Sequence, residues 1–227
     1  MLSMMLCGQQ YVAPAPSGDV KYWLRGLGGF TDESAYNVTT SITPTGYVNC
    51  RAYAGVINGA RCIEFFVPYV GFNVALSALP YTRTSANEPF TYEIWVYYTG
   101  ALTYRWLRFG NCSSISNTAG SFRAQIVPAA SSMNNVLDFF DDSGNAIGSM
   151  ALPKLTIDTV NFLRFSYDGT TMHVYHNGVL YNTGTVPITK LDMFVIISAQ
   201  IGSGTNQYVY VDDIRVISGV ALGAGYP

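Results

Sequence analysis

From Val20 onward the apolar residues of this chain recur at every second position, in short runs separated by turn residues. No window of eleven or more residues carries an apolar stripe at i, i+3 and i+4. A period of two sends alternate side chains to opposite faces of a strand, so the pattern specifies half-buried strands and leaves little room for helix. Phe90, Tyr92, Ile94 and Val96 fall on one face, and Thr91, Glu93 and Trp95 on the other. Tyr104, Trp106 and Arg108 alternate with Arg105, Leu107 and Phe109. Phe122–Val127 and Val136–Phe140 follow, the second running into Asp141-Asp142-Ser143-Gly144-Asn145, a turn composition. Val160–Tyr167 and Thr171–Asn177 flank Asp168-Gly169, a hairpin bend, and Asn177-Gly178 bends the chain again into Val179–Tyr181. Met193–Ala199 is a continuous apolar run, expected of a central strand covered on both faces. Tyr208–Ile217 closes the series, and one helical turn is expected between Leu76 and Asn87. About a dozen short strands at this spacing predict an all-β, two-sheet antiparallel sandwich with little helix.

Composition narrows the partners. Charged residues are 11% of the chain against about 25% in a typical soluble domain. The 12 basic and 14 acidic residues leave a net charge of −2, while 18 Ser, 19 Thr and 14 Asn supply uncharged polarity. No basic stripe is present to neutralise phosphates, which excludes nucleic acid as a partner. With 49% hydrophobic residues the chain is not of the disordered class. No run approaches the ~20 apolar residues of a membrane-spanning helix. The first residues, Met-Leu-Ser-Met-Met-Leu-Cys-Gly, lack the basic start of a secretory signal. Residues 1–19 form an extended N-terminal arm, because Ala13-Pro14-Ala15-Pro16 favours a polyproline-like path. That arm is either a tail without fixed structure or a docking segment whose contacts are Met1, Leu2, Met4, Met5, Leu6 and Tyr11. Residues 20–227 are long enough for one large β domain with a buried core.

Four segments, in order, carry a family resemblance. Phe30-Thr-Asp-Glu-Ser34 resembles a short turn near a domain start, and Phe90-Thr-Tyr-Glu-Ile-Trp-Val96 resembles a Phe-Thr-Ile-Glu-x-Trp-Val strand. Phe162 to Gly178 is similar to a hairpin with Asp-Gly at its bend, and Tyr208 to Leu222 to a closing strand that ends in Gly-Val-Ala. These are features of laminin-G-like, concanavalin A-type jelly rolls of tailed-phage structural proteins. The chain departs from that pattern at His176 and Asn177, and at Leu222 and Gly223. The resemblance implies a virion protein assembled in the host cytoplasm, and family members often hold calcium at loop oxygens. Asp141, Asp142, Asn145 and Asp168 are the calcium candidates, although turn chemistry accounts for the same residues.

Enzyme chemistry finds little support. Retaining glycoside hydrolysis needs two carboxylates about 5–5.5 Å apart, supplied in sandwich-fold glucanases by Glu-x-Asp-x-x-Glu. Here Glu93 has Thr91 and Trp95 as its same-face neighbours, so a rim hydrogen bond is expected of it. Asp212 and Asp213 are adjacent and so fall on opposite faces, while Asp213 and Arg215 form a same-face ion pair. His173 and His176 likewise face opposite sides, and the cysteine spacings fit no zinc pattern. Cys7, Cys50, Cys62 and Cys112 are expected as reduced thiols, with a Cys50–Cys62 bridge across neighbouring strands as the alternative. Tyr97, Tyr98, Tyr104 and Trp106 cluster in one hairpin as glycan or interface aromatics, with Tyr208 and Tyr210 on another strand. The expectation is therefore a non-enzymatic phage virion subunit, a capsid decoration or tail accessory protein present in many copies or as a homo-oligomer, without a required cofactor. The alternative is a carbohydrate-binding module that recognises host glycans.

Overall fold

The computed structural model describes residues 18–25, 30–43, 48–51, 62–67, 73–99, 105–112, 119–128, 134–201 and 207–224. Among these residues there are fifteen strands and no helix. The first sheet runs β3 (Val48–Arg51), β4 (Cys62–Val67), β15 (Gln207–Ser218), β6 (Phe90–Tyr98), β11 (Asn161–Tyr167), β12 (Thr171–His176), β13 (Val179–Thr185), with β1 (Asp19–Leu24) also on β15. The second runs β2 (Ser41–Thr43), β5 (Asn73–Thr82), β14 (Asp192–Ile201), β7 (Arg105–Gly110), β8 (Phe122–Ile126), β9 (Val136–Phe140), β10 (Ala146–Ala151). All strand pairs within the sheets are antiparallel.

The core fills the space between the sheets. Phe90, Tyr92, Ile94, Val96 and Tyr98 of β6 are all 0% exposed, as their shared parity requires. They meet Leu107, Phe109, Phe122 and Leu137 from the second sheet. The Phe90 and Phe122 rings stack at 5.8 Å, and Tyr92 sets its edge against Phe122 at 5.2 Å. Each such ring contributes about 1.5–3 kcal/mol of burial. The buried tyrosines keep their hydroxyls bonded: Tyr92 donates to the Phe194 carbonyl at 2.6 Å and Tyr98 to that of Ile126 at 2.8 Å. At one end of the core Arg83 is buried, donating to the carbonyls of Ala86, Glu88, Ile188 and Lys190.

One long strand organises the first sheet. β15 pairs β6 along one side; on the other, Gln207–Val211 pair β4 and Ile214–Ser218 pair β1. A bulge between Asp212 and Arg215, with Asp213 at φ 48°, separates the two halves. The alternation expected to part Asp212 from Asp213 therefore fails at this point. Three other expectations are corrected. Leu76–Thr82 is strand rather than a helical turn, with Leu76, Ala78 and Pro80 buried and a register shift near Pro80 that absorbs its missing N–H. β6 and β7 lie in different sheets, so Tyr97 and Tyr98 do not share a hairpin with Trp106. The bend expected at Asp168-Gly169 is centred one residue later: Asp168 N–H bonds Thr171 O at 3.1 Å, leaving Gly169 (φ 107°) and Thr170 as the loop. The Asn177-Gly178 bend is as expected, both at positive φ.

Candidate functional site

β13 ends the first sheet and β10 ends the second, on the same side of the sandwich. Between these two edges lies an open groove of about 420 Å³. Asn182, Thr183 and Thr185 of β13 form one wall, Ile147 and Ser149 of β10 the other, with Phe139 and Met150 at the floor. Each edge strand is bulged, β10 between Ala146 and Gly148 and β13 between Leu180 and Asn182, which re-aims side chains and breaks the parity of the run. Asn182 ties the edges together: its Nδ2 donates to the Ala151 carbonyl at 3.0 Å, and its Oδ1 accepts from Thr183 N–H at 2.9 Å. Gly184 lets the β13 backbone settle on Met150, since a Cβ there would stand 3.2 Å from the sulfur. Gly148 opens the other wall, with nothing within 4 Å of where its Cβ would be. Beside the groove Tyr181 (49% exposed) and Leu180 (48%) face solvent, next to Val179.

Among the described residues no ionisable side chain lines this groove. Ser149 and Thr185 offer hydroxyls over an apolar floor with a neighbouring phenol ring, while the Thr183 hydroxyl is shared with His173 Nδ1 at 3.2 Å and the Asn182 amide is engaged between the edges. That chemistry suits hydrogen bonding to neutral polar groups.

The residues singled out from sequence are placed as follows. Glu93 is not at a rim. It is 0% exposed on the outer side of β6, in register with Arg164 of β11 on one side and Arg215 of β15 on the other. Arg164 donates from Nε to Glu93 Oε1 at 2.7 Å, and Arg215 Nη1 lies 3.5 Å from Oε2. Arg215 forks onto Asp213 at 3.0 and 2.8 Å, the expected ion pair, and Trp23 donates its indole N–H to the same carboxylate. Burial pushes the Glu93 carboxyl up against the pull of both guanidiniums. The C-terminal segment folds back over this cluster: Leu222 N–H donates to Thr91 Oγ1 at 3.1 Å, and Arg164 donates to the Gly223 carbonyl. A carboxylate so enclosed does not face a substrate groove.

The calcium candidates carry turn hydrogen bonds. Asp141 accepts from the N–H groups of Ser143 and Asn145, at 2.9 and 2.8 Å, which holds its carboxyl below the usual range. Asp168 accepts from Thr170 and Thr171 N–H at 2.9 and 2.8 Å, which with His173 depresses it strongly. Asp142 accepts from Thr189 Oγ1. Among the described residues no three His, Cys, Asp or Glu side chains converge as a metal site. His173 Nε2 sits 3.3 Å from Asp168 and His176 Nε2 3.2 Å from Asn161, so the two histidines stay apart.

Of the aromatic candidates, Tyr98 is core, correcting its assignment as a contact residue. Tyr97 is half-buried, edge-on to the buried Tyr210 at 6.2 Å, in a small cluster with Trp95, Cys62 and Val160 on the outer side of the first sheet. Tyr104 and the side chains of Trp106 and Tyr208 lie outside the described residues, as do Met1, Leu2, Met4, Met5, Leu6 and Tyr11 of the arm. The register sets Cys50 opposite Ile63 and Arg51 opposite Cys62, which is not a bridging arrangement; Cys62 and Cys112 are buried thiols.

None of the groove residues was singled out by sequence. The signal that points to them is the Val-Leu-Tyr run after Asn177-Gly178, apolar yet followed by the wholly neutral Asn-Thr-Gly-Thr.

Residues 73–224 match the family model described as Laminin_G_3, the concanavalin A-like lectin/glucanases superfamily. Among solved structures, the fold is similar to the receptor-binding domain of botulinum neurotoxin type G, at TM-score 0.62 and 13% identity, covering 90% of this chain and 49% of that one. It is also similar to the binding domain of Paraclostridial Mosquitocidal Protein 1, at TM-score 0.64 and 12% identity over 90% and 50%. A third, titled for botulinum neurotoxin type C cell entry through interaction with two ganglioside molecules, gives TM-score 0.59 and 14% identity over 90% and 48%. The chain spans about half the length of each of these structures. No curated protein matches it in sequence.

Proposed function

The chain belongs to the concanavalin A-like lectin/glucanases superfamily, and on that footing we propose that it is a non-enzymatic binding module that holds a neutral saccharide in the groove between β10 and β13. The observation that carries the reading is the groove itself. It is a 420 Å³ trough walled by Asn182, Thr183, Thr185 and Ser149, floored by Met150 and Phe139, and lined by no ionisable group. Toxin binding domains with the same fold, one titled for ganglioside interaction, support a cell-surface saccharide as the class of ligand.

The test is a glycan array read with the native chain and with Gly148→Trp. Nothing stands within 4 Å of a Cβ at position 148 and its φ is not positive, so the indole fills the groove without unfolding the strand. Neutral glycans are expected to bind the native chain and to be lost from the variant. A flat native array, or binding that survives the indole, overturns the assignment.

A second reading is favoured by one feature. Val179, Leu180 and Tyr181 are exposed on an edge strand that carries no charge, a surface natural sheets usually guard. Such an edge suits a protein partner, as in an accessory subunit of a phage virion, with calcium not required. Under that reading the chain is found in purified particles, and deleting residues 1–19 abolishes its incorporation.

A further inference from the structure

The outer face of the second sheet gathers cations. Arg108 of β7 stands opposite Ser198 of β14 and Gln125 of β8. Arg123 of β8 stands opposite Gly110 of β7 and Asp138 of β9. Arg108 and Arg123 are therefore diagonal neighbours on one face, about 7–8 Å apart along the sheet. Lys190 joins them from the segment before β14, its ammonium 5.3 Å from the Phe194 ring centre. Asp138 contacts Arg123 at 3.5 Å, and Asp142, at the end of the face, is engaged by Thr189. Burial and Arg123 both push the Arg108 guanidinium down.

A second, independent observation lies beside Arg108, on the strand away from Arg123. Ser198 is 0% exposed, and its hydroxyl, next to Arg108 in register, has no hydrogen-bond partner among the described residues; neither does Arg123 Nε. A buried hydroxyl left in this state costs about 1–3 kcal/mol, and adjacent guanidiniums repel. An oxyanion relieves both penalties, because its oxygens accept from arginine forks and from a hydroxyl together.

We propose that this face binds the oxyanion of an acidic saccharide, a carboxylate or sulfate, through Arg108, Arg123 and the Ser198 hydroxyl. The inference rests on the saccharide-binding reading above but uses a different surface, so it extends the ligand class from neutral to acidic sugars.

Calorimetry on the full chain tests it with five probes: a disaccharide bearing one sulfate, a uronic-acid disaccharide, the neutral parent disaccharides of each, and inorganic sulfate. The acidic disaccharides are expected to bind about tenfold or more tighter than their neutral parents. Arg108→Gln and Arg123→Gln each remove about tenfold of that affinity, and Ser198→Ala a smaller part. Unfolding curves check that each variant is folded, and Arg108→Lys or Arg123→Lys, which keeps the charge but loses the fork, serves where the Gln variant is not. Gly148→Trp leaves acidic binding unchanged. Equal affinity for acidic and neutral sugars, or arginine variants that bind as the native chain does, overturns the proposal. Inorganic sulfate binding as tightly as the sulfated disaccharide overturns the saccharide part of it. A flat neutral array with acidic binding intact refutes the groove and leaves this face standing.

Discussion

Replacing Glu93 by Gln should destabilise the domain more than most single changes, and a second substitution should restore much of the loss. Glu93 and Asp213 balance Arg164 and Arg215 in a cluster whose side chains are 1–8% exposed. The amide keeps the shape of the carboxylate but takes from Arg164, in that enclosed space, the Glu93 counter-charge. Breaking a buried pair from one side costs about 3–5 kcal/mol, because the orphaned ion keeps its desolvation penalty. For a domain of this size each kcal/mol lowers Tm by about 2–4 °C, so a fall of about 6–20 °C is expected. Adding Arg164→Met removes the orphaned cation, keeps an apolar stem over the sheet, and leaves Arg215 with Asp213. The double variant should therefore be more stable than the single one, with about 2–3 kcal/mol of coupling. Urea unfolding is the assay, at constant m so that only stability is read. Additive losses, or a Glu93→Gln cost under about 1 kcal/mol, would refute a balanced buried cluster.

Arg83→Met should cost about 2–4 kcal/mol by orphaning carbonyls at Ala86, Glu88, Ile188 and Lys190, and Arg83→Lys should recover less than half, since an ammonium lacks the fork; thermal unfolding compares them. Gly169→Ala should cost at least about 1–3 kcal/mol, because φ is 107° and a Cβ would sit 2.5 Å from the Asn87 carbonyl, whereas Gly148→Ala should be near neutral; urea midpoints of the pair decide. Acid should destabilise the fold in two steps. His176 is pushed down by burial, so the unfolded chain takes that proton first and stability falls as pH drops below about 6.5; Asp168 is depressed, so its contribution is complete above about pH 3.9 and is lost as pH falls through its folded value. Urea midpoints of Asp168→Asn should accordingly change less than those of the native chain between pH 4 and 2.

The strands that cross the middle of each sheet are legible because burial on one or both faces forces parity or a continuous apolar run. Phe90–Tyr98, Phe122–Ile126 and Met193–Ala199 follow from this directly. The groove is not legible for the converse reason. β10 and β13 are edges with little buried area, each carries a bulge, and they come from different sheets, so nothing local links Ser149 to Thr183. Glu93 is misread for a different reason. A polar residue on the non-core face looks solvated unless one knows that Arg164 and Arg215 stand opposite it and that Gly219–Gly223 return over it. Pairing partners 71 and 122 residues away leave no mark in a window of ten.

The scarcity of charge therefore has a different meaning once the strands are paired. Asp32, Glu64, Arg83, Glu93, Arg164, Asp212, Asp213 and Arg215 are all buried, eight of the 12 basic and 14 acidic residues in the chain. Glu93, Arg164 and Arg215 sit directly opposite one another across three central strands, where a one-residue slip would turn the carboxylate to the apolar side. Buried ions contribute little net stability against a hydrophobic replacement, but they penalise the wrong register heavily. Hydrophobic parity alone cannot separate registers two residues apart in strands as uniformly apolar as β6 and β15; a single carboxylate between two guanidiniums can. With these charges committed to register and few others in the chain, much of the surface polarity comes from Ser, Thr and Asn. Such a surface loses little on desolvation when a sugar or a neighbouring protein covers it. The Arg108–Arg123 face sets two guanidiniums side by side outside the core, with Asp138 against Arg123. In a molecule so sparing with ions, that concentration is the strongest physical reason to look there for an acidic ligand.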